Sequence, residues 1–158
     1  MDNRKIQIVN QRDIQPKKTA KHQPYEFDKY QVTDDSPENQ SCIAVYEIPP
    51  QRSNYPYHYH MSNEEAFYII SGTGTLETPD GKRSVSAGDF ILCPPGPQGA
   101  HKLSNDSHMD QLVFINFDAV HSPEVVIYPH SDKIGIIVHG ATGTFYQKAQ
   151  NVGYYEGE

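Results

Sequence analysis

No run in this 158-residue chain approaches the roughly 20 apolar residues that a membrane-spanning helix needs. The opening residues Met1-Asp2-Asn3-Arg4-Lys5-Ile6 also lack the apolar core of a signal peptide. These two absences lead to the expectation of a soluble, cytoplasmic protein. Cysteine is scarce: Cys42 and Cys93 are the only two, and without a secretory signal no disulfide framework is expected. Positive charge is the minority sign, with 13 Lys and Arg against 20 Asp and Glu for a net charge of −7. Nucleic acid and anionic membrane are therefore excluded as expected partners, because affinity for polyphosphate comes from clustered cations. The one locally basic stretch, Lys17-Lys18-Thr19-Ala20-Lys21-His22, reads as a solvated loop. A convincing amphipathic helix is missing as well.

What is present is a succession of short strands. A chain of this length fits one domain, which buries roughly 68–70% of the surface its unfolded form exposes. Ser41 to Ile48 reads as a strand stopped by Pro49-Pro50, since proline brings no amide hydrogen to a ladder. Ala66 to Ile70, Gly74 to Thr78 and Lys82 to Ser86 follow, with Pro79-Asp80-Gly81 as a hairpin turn between the last two. Gln111 to Phe117 is the most apolar strand and is expected at the centre of the sheet, buried on both sides. Glu124 to Pro129 and Lys133 to His139 complete the set. Such regular spacing predicts an all-β sandwich or barrel. Ile6-Gln7-Ile8-Val9 reads as a strand or an arm, and Thr33 to Gln40 as a polar connector.

Chemistry concentrates in Tyr57-His58-Tyr59-His60-Met61-Ser62-Asn63-Glu64-Glu65. If Tyr55 to Met61 is a strand, His58 and His60 project from one face while Tyr57, Tyr59 and Met61 turn away. Two imidazoles and a following carboxylate form a donor set for a transition metal. A His-x-His pair also occurs on solvated strands, so the pair alone leaves both readings open. Downstream, Gly88-Asp89-Phe90-Ile91-Leu92-Cys93-Pro94-Pro95-Gly96 leads through Pro97-Gln98-Gly99-Ala100 to His101-Lys102-Leu103-Ser104-Asn105, a strand, a loop and a strand opening on histidine.

These two stretches resemble the motifs of the cupin superfamily. The first cupin motif has His-x-His, three or four residues, Glu, six residues and Gly; His58, His60, Glu65 and Gly72 fit it, whereas Glu64 leaves the distance to Gly72 one residue too long. Gly88, Pro94, Gly96, His101 and Asn105 fit the second, with two extra residues between Gly96 and His101. Arg52 stands where the first motif usually opens with glycine. The segment Tyr128-Pro129-His130-Ser131-Asp132 resembles one branch of small single-domain cupins, some of which carry a sugar-phosphate-isomerase label.

The resemblance implies a double-stranded β-helix, or jelly-roll, barrel over residues 41–140, an N-terminal arm with irregular strands over 1–40 and a tail over 141–158 that packs on the barrel or covers its mouth. It implies one divalent ion (Zn, Mn, Fe, Ni or Co) held by His58, His60, Glu65 and His101, with positions left for a small polar molecule. Arg52, Tyr57, Tyr68, Cys93 and His130 are further candidates for the pocket, although strand tyrosines are ordinarily packing residues and Cys93 reads first as a small buried hydrophobe at a strand end. Tyr46 and Lys102 are further candidate donors. Dimeric cupins often lend such an arm to the partner's sheet, so a homodimer is expected. Expected activities are a metal-dependent isomerase, epimerase or dioxygenase, beside a non-catalytic binding module in which the metal is structural; fold alone does not decide among them.

Overall fold

A computed structural model describes residues 5–34, 36 and 38–158, with the backbone alone at Lys21. The reading of residues 1–4, and of Asp35 and Pro37 in the connector, lies outside these residues. The strands are β1 (Lys17–His22), β2 (Tyr25–Gln31), β3 (Ser41–Ile48), β4 (Arg52–Ser53), β5 (Tyr59–His60), β6 (Glu65–Ser71), β7 (Thr73–Thr78), β8 (Gly81–Ser86), β9 (Phe90–Cys93), β10 (Lys102–Asn105), β11 (Leu112–Ala119), β12 (Glu124–Tyr128), β13 (Lys133–Ile137) and β14 (Thr144–Gln147). One curled sheet runs β8-β7-β10-β4-β2-β3-β11-β6-β9, with β1 paired to β2, and a second runs β14-β13-β12-β5. This is the double-stranded β-helix barrel that the motifs led us to expect.

Alternation of side chains along the strands separates core from surface. In β6, Glu65, Phe67 and Ile69 are buried while Ile70 is exposed; in β11, Leu112, Phe114 and Asn116 are buried. Tyr46 and Phe114 stack across the β3–β11 ladder with ring centroids 5.1 Å apart, and Phe67 meets Phe114 edge-on at 5.4 Å. Burying a side chain of this size stabilises by about 1.5–3 kcal/mol. These aromatic contacts tie together neighbouring strands that are distant in sequence.

Three expectations need correction. β11 is central, between β3 and β6, but its second face is not buried: Phe117 is 41% exposed. The basic stretch is a strand rather than a loop, since β1 pairs with β2 and Lys18 lies 3.5 Å from Asp28. The proposed strand from Tyr55 to Met61 is paired as a strand only at Tyr59–His60, with a single bridge from His58 to His101. Pro56 has no amide hydrogen to offer, and the Tyr55 amide is taken by Asn54 Oδ1 at 2.7 Å.

Ile6 and Ile8 are 96% and 97% exposed and, among the described residues, pair with no strand. The tail forms β14 on β13, and Phe145 of β14 reaches the barrel's mouth.

Candidate metal centre

Four elements bring the ionisable cluster together. His58 lies on the bridge to His101, His60 on β5, Glu65 at the start of β6 and His101 just before β10. The backbones of His58 and His101 exchange hydrogen bonds of 3.1 and 2.9 Å, so their rings are held with centroids 4.7 Å apart. Gly72 lets β6 turn directly into β7: its φ is +84°, and a Cβ there would collide with the Gln111 carbonyl.

His101 Nε2 lies 3.1 Å, His60 Nε2 3.4 Å and His58 Nε2 3.7 Å from Glu65 Oε2. His58, His60 and Glu65 offer ligand atoms all within 4.8 Å of one another; His101 falls outside that mutual set yet makes the shortest approach to Glu65. Glu64, by contrast, points its side chain to solvent.

Tautomers are fixed from behind. His58 Nδ1 is 2.8 Å from the Pro56 carbonyl and His101 Nδ1 is 2.9 Å from that of Gly99. A carbonyl only accepts, so each Nδ1 carries the hydrogen, and in its neutral form each ring turns a bare Nε2 lone pair toward Glu65. The two residues by which the loop exceeds the cupin pattern lie in a 3-10 turn over Pro97–Gly99, and this turn delivers the Gly99 carbonyl. His60 is backed by Glu124, whose Oε1 stands 3.5 Å from His60 Nδ1 while accepting from the Ser62 amide at 2.9 Å.

Lone pairs facing a carboxylate need positive charge between them. Glu65 Oε2 is buried without a hydrogen-bond partner, which is the state expected of an oxygen arranged for a cation. The donor set, imidazole nitrogen and carboxylate oxygen, suits a divalent transition metal. Burial holds the His58 pKa down at about 4, the opposing pull of Glu65 notwithstanding. Burial alone would lower the His101 pKa too, but contact with Cys93 and Glu65 outweighs it and holds His101 above the usual value. Glu65 resists the effect of burial through its histidine neighbours, His101 first, and stays well below the usual carboxylate range.

A cavity of about 300 Å³ opens on this cluster. Its wall includes His58, His60 and Glu65, then Lys29, Tyr46, Asn116 and Asp118 from the main sheet, Tyr55 from the loop after β4, and Val126, Tyr128, Ile137 and Phe145 from the smaller sheet. Burial, and then the Glu65 carboxylate, push the Asp118 pKa up to about 8. A larger hollow of about 540 Å³ beside Gln11, Arg12 and Tyr30 shares no lining residue with it and has no histidine or carboxylate in its wall.

The other sequence candidates lie elsewhere. Arg52 is paired with Glu26 at 2.9 Å. Tyr57 stacks on His130 at 4.5 Å, and His130 lies 3.6 Å from Glu77 with most of its side chain in solvent. Tyr68 packs on Phe90 outside the barrel. Cys93 is buried opposite Glu65 in the β6–β9 ladder, a free thiol beside His101. Of the cavity wall, Lys29, Tyr55, Asn116, Asp118, Tyr128 and Phe145 were not singled out by sequence reading, nor was Glu124 behind His60. One signal was available: period two along β11 puts Asn116 and Asp118 on the same face as Leu112 and Phe114.

A Cupin domain profile matches residues 44–118. Over 58 residues the chain is 36% identical to an uncharacterized protein of Methanocaldococcus jannaschii, a stretch that covers 37% of this chain and 45% of that protein; the match thus spans less than half the length of the curated relative. Among solved structures, a protein of Acidithiobacillus ferrooxidans provisionally named a sugar phosphate isomerase superposes with a TM-score of 0.80 at 24% identity, covering 98% of this chain and 100% of the other. A cupin-superfamily protein of Silicibacter pomeroyi named a sugar phosphate isomerase gives 0.78 at 16% identity, covering 91% and 94%. Residues 44–118 thus match the Cupin domain family, and the chain folds as a cupin-like barrel with both motifs in register on its inner wall.

Proposed function

We propose that this chain binds one divalent transition metal ion through His58, His60, Glu65 and His101 and there holds and transforms a small polar metabolite: a sugar, a sugar phosphate or a hydroxy-carbonyl acid. The observation that carries the reading is the approach of three Nε2 atoms to one unpaired carboxylate oxygen, at 3.1, 3.4 and 3.7 Å. A bound divalent ion supplies Lewis acidity toward a carbonyl or hydroxyl oxygen and lowers the pKa of its water. The chain supplies the rest. Val126, Ile137 and Phe145 line the cavity with apolar surface, while Asp118 holds a proton beside Glu65 into the neutral range. Two similar folds bear the name sugar phosphate isomerase, which supports the choice of substrate class.

The test is elemental analysis of protein purified without an affinity tag. One ion per chain is expected, lost in His58→Ala; a folded wild-type protein that takes up no transition metal would overturn the reading. Iron with oxygen consumption would point to a dioxygenase. A large fall in Tm on chelation, without turnover of sugars, sugar phosphates or dioxygenase substrates, would point to a binding module with a structural metal. We further propose that the chain works as a homodimer, joined through the apolar outer face of β6 and β9, where Phe90 and Leu92 are 74% and 73% exposed.

A further inference from the structure

The cavity wall beyond the candidate ligands has its own unmet chemistry. Asn116 is only 5% exposed, and its Nδ2 is committed to Asp118 Oδ2 at 2.9 Å. That commitment turns Oδ1 the other way, where it has no hydrogen-bond partner. A buried amide oxygen without a donor is uncommon, because leaving it unpaired costs its full desolvation. Lys29 is the single Lys or Arg in the cavity wall, and among the described residues it makes no ion pair; its Nζ stands over the Tyr46 ring, 5.5 Å from the centroid. An acceptor without a donor and a cation without a close ion pair, its charge felt by the Asp118 carboxylate, therefore occupy the same cavity as the candidate metal ligands.

We propose that Asn116 and Lys29 form a recognition subsite for a small hydroxylated anion: Asn116 Oδ1 accepts from a substrate hydroxyl, and the Lys29 ammonium binds the carboxylate or phosphate of the same molecule. The proposal rests on the metal-site reading for what the other end of the substrate meets, and it narrows the substrate class, since neutral polyols and deoxy acids each satisfy only half of the subsite. The volume, about 300 Å³, suits a compact molecule. Carboxylate and phosphate share the charge that Lys29 would bind, so the experiment separates them.

Dissociation constants are to be read from thermal-shift titrations of the metal-loaded full chain with glycerate, propionate, glycerol and glycerol 3-phosphate. Wild-type protein is expected to favour glycerate or glycerol 3-phosphate about tenfold over both propionate and glycerol. Whichever of the two is tighter identifies the anionic group. Asn116→Leu should abolish the preference for glycerate over propionate while keeping the preference for anions over glycerol. Lys29→Met should do the reverse, and Lys29→Arg should retain the anion preference. If Asn116→Leu fails to fold, the Lys29 pair carries the test. Equal affinity for all four compounds in wild type, or unchanged preferences in the variants, overturns the inference. Metal content measured on the same samples separates this outcome from failure of the metal-site reading: a loaded protein without discrimination sinks the subsite alone, and an unloaded protein that discriminates sinks the metal site alone.

Discussion

Asp118 lies directly across the β6–β11 ladder from Glu65, so two carboxylates share one rung on the inner face of the barrel. Like charges directly opposite each other on a sheet destabilise it, and here the rung is also desolvated. The conflict resolves unequally. Glu65, surrounded by imidazoles, stays ionised below its ordinary range, while Asp118 is pushed up to about 8.

A pH dependence follows for metal-free protein. Asp118 binds its proton more tightly when folded than when unfolded, where its pKa is near the ordinary aspartate value of 3.8. Its favourable contribution is therefore complete below about pH 4 and is lost as pH rises toward and through about 8. Asp118→Asn keeps the shape and removes the titration. The difference in Tm between Asp118→Asn and wild type should grow in favour of the variant from pH 5 to pH 9. A constant difference across that range would show that Asp118 ionises freely.

Glu124 gives a second prediction, about metal affinity. His58 and His101 direct Nδ1 at backbone carbonyls, but His60 has only Glu124 Oε1 at 3.5 Å behind it. A carboxylate behind a metal-bound imidazole orients the ring and raises its basicity, and its loss typically weakens metal binding about 10–100-fold. Glu124→Gln should lower affinity by that order in competition with a chelator, with ion stoichiometry at saturation unchanged. Because Glu124 also accepts from the Ser62 and Asn63 amides at 2.9 and 3.3 Å, Glu124→Ala is expected to lose stability as well. An affinity unchanged in both variants would reduce Glu124 to a turn cap.

Gly72 supplies a third prediction, about stability alone. With φ at +84° and the Gln111 carbonyl where a Cβ would go, Gly72→Ala must either strain the backbone or displace the start of β11. The cost is about 2 kcal/mol or more, and in a domain of this size that lowers Tm by roughly 4–8 °C. Calorimetry on the metal-free variant measures it. A loss below 2 °C would mean the turn relaxes freely.

The candidate ligand cluster was legible because His58, His60 and Glu65 are near one another in sequence and His101 stands at a fixed place in a second local motif. His58 and His60 share a face through period two, and His101 opens the strand that the Pro94–Gly99 loop feeds. The rest of the cavity wall was not, because it is set by register between distant strands. Nothing near Lys29 in the sequence says that β2 inserts between β4 and β3 and lines it up with Tyr46. Sequence proximity was also a poor guide on the outside: Tyr57 adjoins His58 yet turns toward His130, and Tyr68 follows Phe67 yet packs on Phe90.

The outer face of β6 and β9 supports the last prediction. Phe90 and Leu92 are 74% and 73% exposed, Ile70 and Phe117 are 42% and 41%, and Tyr68 lies among them against Phe90 at 4.5 Å. β9 is moreover an edge strand, with backbone groups free on one side. Apolar patches on a sheet edge invite either association or aggregation. A two-fold partner resolves both, since the same face meets itself and the interface closes. Phe90→Lys with Leu92→Glu should therefore shift the protein from dimer to monomer in sedimentation equilibrium while leaving metal stoichiometry at one ion per chain, because these side chains point away from Glu65 and Phe67. Wild-type protein that sediments as a monomer at all concentrations would exclude this face as a self-association surface.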